Sequence, residues 1–229
     1  MTSRHPLDNP ARASLLGPHA SLAERRGTAL RYLTEVSPFV ALPDEPGESD
    51  WADLAGLVGP GCVVATAGVA VTPPPGWTVQ RELEGVQLTG DHVAVVADAE
   101  AVPLGAADVP EMLDLVARTQ PGPFLSRTVE FGGYLGIRRA GRLVAMAGER
   151  LRPPGWTEIS AVCTAEEFRG QGPAARLTLA VAAAIRARGD IPFLHATASN
   201  VAAIRLYESL GFQLRRDATF VIARAPQPA

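Results

Sequence analysis

Apolar positions along the chain fall into two regimes. Over residues 1–88 they come in short clusters divided by Pro and Gly. Residues 19–33 place Leu22, Leu30 and Leu33 at helix-like spacing, residues 39–42 read as a strand, and residues 50–58 as a short helix opened by an Asp cap. Residues 62–71 have the pattern of a buried strand, closed by the Pro-rich turn at 73–77. No catalytic constellation stands out in this stretch, which is expected to complete a core or wall a pocket.

From His92 the periodicity is regular. Residues 93–104 are an apolar run of strand type, and Asp108 is placed to cap a helix with Met112, Leu115 and Val116 on one face. Residues 134–138 and 143–150 predict a hairpin around Ala140-Gly141, and residues 157–164 a third strand. An Ala-rich helix over 173–188 is stopped by Gly189, a strand follows at 191–197, then a helix at 200–210 ended by Gly211, and residues 212–224 supply closing strands. The order β-α-β-β-β-α-β-α-β-β predicts an α/β chain with a mixed sheet and helices packed on its faces. Two units are expected: an N-terminal α/β lobe over 1–88 and a second domain over 89–229.

Composition narrows the chemistry. With 229 residues, 47% hydrophobic and 20% charged, the chain is long and apolar enough to bury a core. All 21 basic residues counted as Lys or Arg are Arg. The absence of lysine closes Schiff-base and pyridoxal chemistry, Walker-type nucleotide hydrolysis and protein-kinase chemistry, and leaves any phosphate to backbone amides and guanidinium. A net charge of −3 with scattered Arg argues against nucleic acid or an anionic membrane as partner. Cys62 and Cys163 have neither CxxC spacing nor neighbouring His, so reduced thiols and no metal are expected. Residues 1–13 carry no apolar stretch of leader length and no run approaches a membrane span, which gives the expectation of a cytoplasmic protein.

The string Arg169-Gly170-Gln171-Gly172-Pro173-Ala174 sits where the third strand of the meander meets the Ala-rich helix. Small residues there let a diphosphate approach unpaired N–H groups at the positive end of the helix. The strand TEISAVCT (157–164) precedes it, and NVAAIRLYESLGF (200–212) follows about thirty residues later. In this order and spacing, over roughly residues 90–229, the three segments resemble the GNAT superfamily of acyl-CoA-dependent N-acetyltransferases.

The resemblance implies the GNAT fold with an additional N-terminal lobe, and acetyl-CoA as donor substrate in a gap between strands 157–164 and 191–197. It implies that Val162, Cys163 and Thr164 pair with the pantetheine arm, that Arg169, Gly170, Gln171, Gly172, Pro173 and Ala174 take the diphosphate, and that Asn200 holds the donor from the other side. Pro173 lacks an N–H, and Ala165 stands where a proline is common. Tyr207, seven residues into the Asn200 segment, corresponds to the tyrosine that protonates the departing thiolate. Glu158 resembles the general base of histone-type members. It shares a strand face with Ser160, Val162 and Thr164, so a kink would be needed to aim all of them. His195, five residues before Asn200, is the rival base, since imidazole titrates near neutrality.

Cys163 has apolar flanks and is read as a packed thiol rather than an acetyl carrier. The expected function is transfer of acetyl from acetyl-CoA to an amine in a ternary complex. A donor-binding regulator without acceptor chemistry, or a transferase of a longer acyl group, is the alternative. The acceptor is not readable: Phe124, Arg127, Tyr134 and Glu149 are only candidate pocket residues. The resemblance also leaves open whether residues 1–88 are a lid or a degenerate acetyltransferase half, and whether the protein is a homodimer.

Overall fold

The run of β-branched residues and the two-residue turns of the second half dictate a sheet, and a computed structural model describing residues 5–227 shows how it is assembled. In chain order the elements are α1 (Pro10–Leu15), β1 (Ala23–Arg26), β2 (Ala29–Tyr32), β3 (Val40–Ala41), α2 (Glu48–Val58), β4 (Val63–Ala65) and β5 (Thr78–Thr89). There follow β6 (Val102–Leu104), α3 (Val109–Thr119), β7 (Tyr134–Arg139), β8 (Arg142–Glu149), β9 (Trp156–Thr164), α4 (Pro173–Ala187), β10 (Ile191–Thr197), α5 (Val201–Ser209) and β11 (Gln213–Arg224). Strands β1-β2-β3 form a small N-terminal sheet, and the remaining eight run in the order β4-β11-β5-β10-β9-β8-β7-β6. The fold is the mixed α/β arrangement that the sequence suggests.

Strand alternation sends neighbouring residues to opposite faces. On one face α4 and α5 pack Leu177, Val181, Ile185 and Tyr207 onto Ile159, Leu194 and Leu88. On the other, the N-terminal segments bring Leu7, Leu15, Tyr32 and Phe39 onto Leu151 and Phe193, and α3 brings Met112 and Leu115 onto Met146 and Cys163.

Several expectations are corrected. Residues 19–33 are not a helix: β1 and β2 form a hairpin whose turn begins at Gly27, left-handed at φ 52°. Glu24 and Arg31 pair across it, and Ala29, Leu30 and Tyr32 are buried, a demand that a solvent-facing helix could not meet. Asp50 lies inside the first turn of α2 and accepts from the Gly47 N–H at 2.8 Å rather than capping the helix itself. The strand expected over 62–71 shrinks to β4, and that over 93–104 to β6.

Strand β5, unanticipated in the sequence, inserts between β10 and β11, pairing with both. Its first seven residues outrun β10 and only Gly85, Gln87 and Leu88 are fully buried, which hides its strand pattern. The closing strands become one, β11, and β5 ends at the expected boundary between the two units while belonging to the large sheet.

The feature that positions the site is a fork. Parallel strands β9 and β10 pair from Ile191↔Trp156 to Leu194↔Ile159 and then part. Beyond that point β10 stays with β5 as far as Thr197↔Gly85, while β9 stays with β8 as far as Thr164↔Ala145. The kink required of β9 is a bulge: its register against β8 shifts between Met146 and Gly148, and Ala161 adopts a left-handed φ of 53°. A β-branched side chain tolerates this conformation poorly. Ala161→Val is expected to cost roughly 1–3 kcal/mol in urea unfolding, whereas Ala161→Gly should stay within about 0.5 kcal/mol of the parent.

Candidate functional site

The fork exposes a strand edge. The Ala165 N–H donates to the Val144 carbonyl at 2.8 Å, and Cys163 stands opposite Met146. Alternation therefore turns the backbone groups of Val162 and Thr164 into the gap and ties those of Cys163 to β8. This corrects the expectation that all three consecutive residues pair with a ligand. The Cys163 side chain packs among Met112, Leu115 and Met146, and burial pushes its thiol up to about 11, so it stays protonated.

Gly170 and Gly172 have left-handed φ values of 77° and 83°, which L side chains adopt at a cost, and Gly172 is the N-cap of α4. Nothing lies within 4 Å of where a Cβ on either would stand. Pro173 opens the helix without an N–H, and Ala174 and Ala175 follow with amides that no helical carbonyl can accept. Arg169 Nε donates to the Thr164 carbonyl at 3.4 Å, which ties the loop to the end of β9, and Gln171 Nε2 reaches the Glu167 carbonyl at 3.4 Å.

Across the gap, Asn200 caps α5, its Oδ1 accepting from the Ala203 N–H at 3.2 Å. Its amide nitrogen is left for another partner. Tyr207 is 7% exposed and packs on Phe212. Burial, assisted by Cys163 nearby, pushes the phenol up to about 12.

Glu158 and His195 are brought together, but not as open bases. Glu158 is 0% exposed, with Arg150 Nε at 2.8 Å and the Leu151 N–H at 3.3 Å on one oxygen, and Arg150 Nη2 and His195 Nδ1, both at 2.6 Å, on the other. Burial alone would raise its pKa. The charge and hydrogen bonds of Arg150, with help from His195, win and hold the carboxyl down at about 2. Such a carboxylate has neither a free lone pair nor the basicity to take a proton from an amine.

The His195 side chain is 2% exposed. Its Nε2 lies 3.0 Å from Gln87 Nε2, whose other contact is the Leu7 carbonyl at 2.9 Å, while Gln87 Oε1 accepts from Arg215 Nη1 at 2.8 Å. A carbonyl can only accept and a guanidinium only donate, so the Gln87 amide must point an N–H at His195 Nε2. His195 is then the neutral tautomer with its proton on Nδ1, and its remaining lone pair is taken. The expectation of a free base at either residue is corrected on these grounds.

Sequence reasoning missed Arg150 and Gln87. Arg150 faces Glu158 across the RPPG turn, and Gln87 lies between the apolar Val86 and Leu88 near the end of β5; both were visible in the sequence as residue types without a partner. The other candidates do not gather at the fork. The Tyr134 hydroxyl donates to the Glu149 carbonyl, Phe124 packs edge-on against Tyr134, Glu149 pairs with Arg188, and Arg127 pairs with Glu130 at the surface. A cleft of about 420 Å³ opens where β10 ends, lined by Glu82, Leu83, Glu84, Thr197, Ala198 and Ser199. Among the described residues no group of three or more His, Cys, Asp or Glu is placed to hold a metal, and no helix is long and apolar enough to cross a membrane.

Comparisons with known proteins agree with this geometry. A family model described as FR47-like protein matches residues 134–221. The chain is similar to the crystal structure of a protein from Novosphingobium aromaticivorans assigned as an acetyltransferase of the GNAT family, at 42% identity and a TM-score of 0.89, covering 98% of this chain and 100% of that one. It shares its fold with a GCN5-related N-acetyltransferase from Kribbella flavida, at 18% identity and a TM-score of 0.62 over 97% and 96% of the two chains. No curated protein sequence matches the chain at a significant level.

The buried carboxylate makes stability depend on acid. Glu158 falls from 4.5 to about 2 on folding, so its contribution, about 3 kcal/mol, is complete above pH 5 and disappears as pH drops toward 2. Arg150→Met is expected to lower stability at pH 7 by about 3–5 kcal/mol and to flatten that acid slope, both read from urea unfolding between pH 2 and 7.

Proposed function

The chain belongs to the GNAT acetyltransferase family, and on that premise we propose that it moves the acetyl group of acetyl-CoA to an amine by direct attack in a ternary complex. The observation that carries this reading is the fork: β9 keeps an open strand edge where it parts from β10, and the chain runs on from that edge to a glycine loop at the N-terminus of α4.

The backbone groups of Val162 and Thr164 pair with the pantetheine amides as an added strand would. The loop from Arg169 to Ala174 takes the diphosphate through Gly172 and Ala174 amides and the Arg169 guanidinium, with no contribution from the Pro173 nitrogen. Asn200 donates its free amide from the opposite side. The neutral amine nitrogen bonds to the thioester carbon as the carbon–sulfur bond breaks, and the proton that the nitrogen sheds passes to the departing sulfur, directly or through water, so that an amide and free CoA thiol result. An amine approaching through the cleft at the end of β10 passes Glu82 and Glu84, whose carboxylates favour a cation.

Tyr207 serves the departing sulfur. With its phenol near 12 and a thiol near 8.5, complete proton transfer would be uphill by about 5 kcal/mol, so its contribution is a hydrogen bond that strengthens as charge builds on sulfur. Glu158 and His195 act as positioning groups: their bond spans β9 and β10 beside the last paired residues and sets where the strands part.

Mixing the protein with acetyl-CoA and a panel of small amines, amino acids and peptide N-termini should release free CoA thiol with at least one acceptor. Binding of the donor without any release would instead support the regulatory alternative. Tyr207→Phe is expected to lower kcat about 10²-fold while leaving the calorimetric Kd for acetyl-CoA unchanged. Wild-type turnover in that variant removes Tyr207 from the mechanism. With no protein base of open lone pair at the fork, the acid limb of kcat/KM should follow the pKa of whichever amine is used and move when the amine is changed.

A further inference from the structure

On the face of the sheet opposite α4, a short piece of chain closes over the fork. After β4, Thr66 is tied to β11 twice: its N–H donates to the Val221 carbonyl at 3.0 Å and its Oγ1 accepts from the Val221 N–H at 3.2 Å. The same hydroxyl donates to the Val69 carbonyl at 3.2 Å and shapes a bend. Inside that bend Gly68 is left-handed at φ 73° and lies against the fork, since a Cβ on it would stand 2.7 Å from His195 Nε2. The chain is fixed again further on, where Val71 and Trp77 pack on the cluster of Trp51 and the two indoles meet edge-on at 5.2 Å.

Between those anchors the backbone is loosely held. Among the described residues, no backbone N–H from Ala67 to Thr72 donates a hydrogen bond within the protein. Ala67 is 1% exposed and Gly68 is buried, so these two amides are also cut off from water. A buried, unpaired amide costs free energy that hydration returns when the segment lifts. From Ala67 to Ala70 only Val69 has a side chain larger than a methyl, so little apolar burial opposes that movement. Gly68 can take up the change in backbone angles without a Cβ in the way.

The loop at the start of α4, Asn200 and Tyr207 belong to α4 and α5, whose apolar sides pack on the other face of the sheet. A donor lying in the gap from that side leaves the face under Gly68 to the amine. The cleft of about 420 Å³ is close by: Val221, which holds Thr66, pairs on its other side with Glu82 of the cleft wall, so only β11 separates the anchor from the entrance.

Resting on the reading of the fork as the donor cleft, we infer that residues 67–72 are the lid of the acceptor site, which lifts at Gly68 to admit the amine to the fork from the side opposite the donor and closes to keep other nucleophiles from the thioester. The contact of Gly68 with His195 is the closed position of that lid.

The test uses hydroxylamine, a small amine that is neutral at pH 7 and needs no acceptor pocket of its own. With the protein in excess over acetyl-CoA, its nitrogen bonds to the thioester carbon, the carbon–sulfur bond breaks and the proton it sheds goes to sulfur. Acetohydroxamate and free CoA thiol form at a rate set by access to the bound donor. Gly68→Ala puts a methyl against His195 in a conformation that L residues disfavour, and Val71→Ser loosens the far anchor without touching the fork. Each is expected to raise thiol release about three- to tenfold while the calorimetric Kd for acetyl-CoA stays at the parent value.

A rise in either variant with unchanged donor affinity supports the lid. Parental release in both, whatever their Tm, shows a merely structural cover and overturns the inference alone. Faster release that comes with weaker donor binding reports a damaged cleft and also overturns it. Failure of the parent protein to bind acetyl-CoA overturns the reading of the fork and the lid with it.

Discussion

The bond between Glu158 and His195 is the constraint on which the fork between β9 and β10 depends. Placing a carboxylate at 0% exposure costs several kcal/mol of lost hydration, and an isolated charge there would simply take up a proton. It stays ionised because Arg150 grips it with two nitrogens, the Leu151 amide adds a third contact and His195 a fourth. Glu158 belongs to β9 and His195 to β10, and the last paired residues of those strands are Ile159 and Leu194. The side-chain bond therefore replaces backbone pairing where that pairing ends. That bond links the two strands through their side chains where their backbones diverge.

The same constraint explains why the N-terminal segments are packed on this sheet rather than beside it. The imidazole of His195 is held from both sides, by Glu158 at Nδ1 and by the Gln87 amide at Nε2. Gln87 is oriented by Arg215, the extra residue of a bulge in β11 between Leu214 and Arg216, and Arg215 is held in turn by Asp8 at 2.6 Å. Leu7 supplies the carbonyl that takes the other Gln87 hydrogen. A chain of hydrogen bonds thus runs from the start of the described residues through β11 and β5 to the fork. Strand β5 is needed in the middle of the sheet because only there can its side chains reach both β10 and β11.

How much of this was legible follows from where the information lies. Helix α4 and strands β7 to β10 carry their periodicity and their turn residues within the segment itself, so their limits were readable to within a residue or two, while for α3 only the start and the apolar face were read, and Asp108 there makes no side-chain capping bond. The hairpin β1-β2 was not, because Leu22, Leu30 and Leu33 satisfy a helical spacing and the deciding facts, the Glu24–Arg31 pair and burial against α1 and α2, are contacts with other segments. Residues 93–101 look like a strand yet loop out, since Asp98 and Glu100 are drawn onto Arg176, which lies 78 and 76 positions further along.

The site divides in the same way. The glycine loop, the strand edge and the α5 tyrosine are local patterns. The state of Glu158 is not, because it is decided by Arg150 across a turn and by His195 37 positions away, and His195 itself by Gln87 at 108. A glutamate on β9 beside the fork reads as a base from the local pattern, and its surroundings reveal it as half of a clamp.

The missing lysine takes on a physical meaning at these positions. Arg150 must bond both carboxylate oxygens through two parallel N–H groups while its plane lies over the Phe39 ring at 5.2 Å, a geometry that a single ammonium cannot supply. Arg215 must face Gln87 with one terminal nitrogen and Asp8 with the other, and Arg176 must span Asp98 and Glu100. In each case the cation directs separate nitrogens at two acceptor atoms in fixed directions, which is what the planar guanidinium provides. An arginine-only chain therefore suits a fork that has to be held by buried charge aimed in fixed directions.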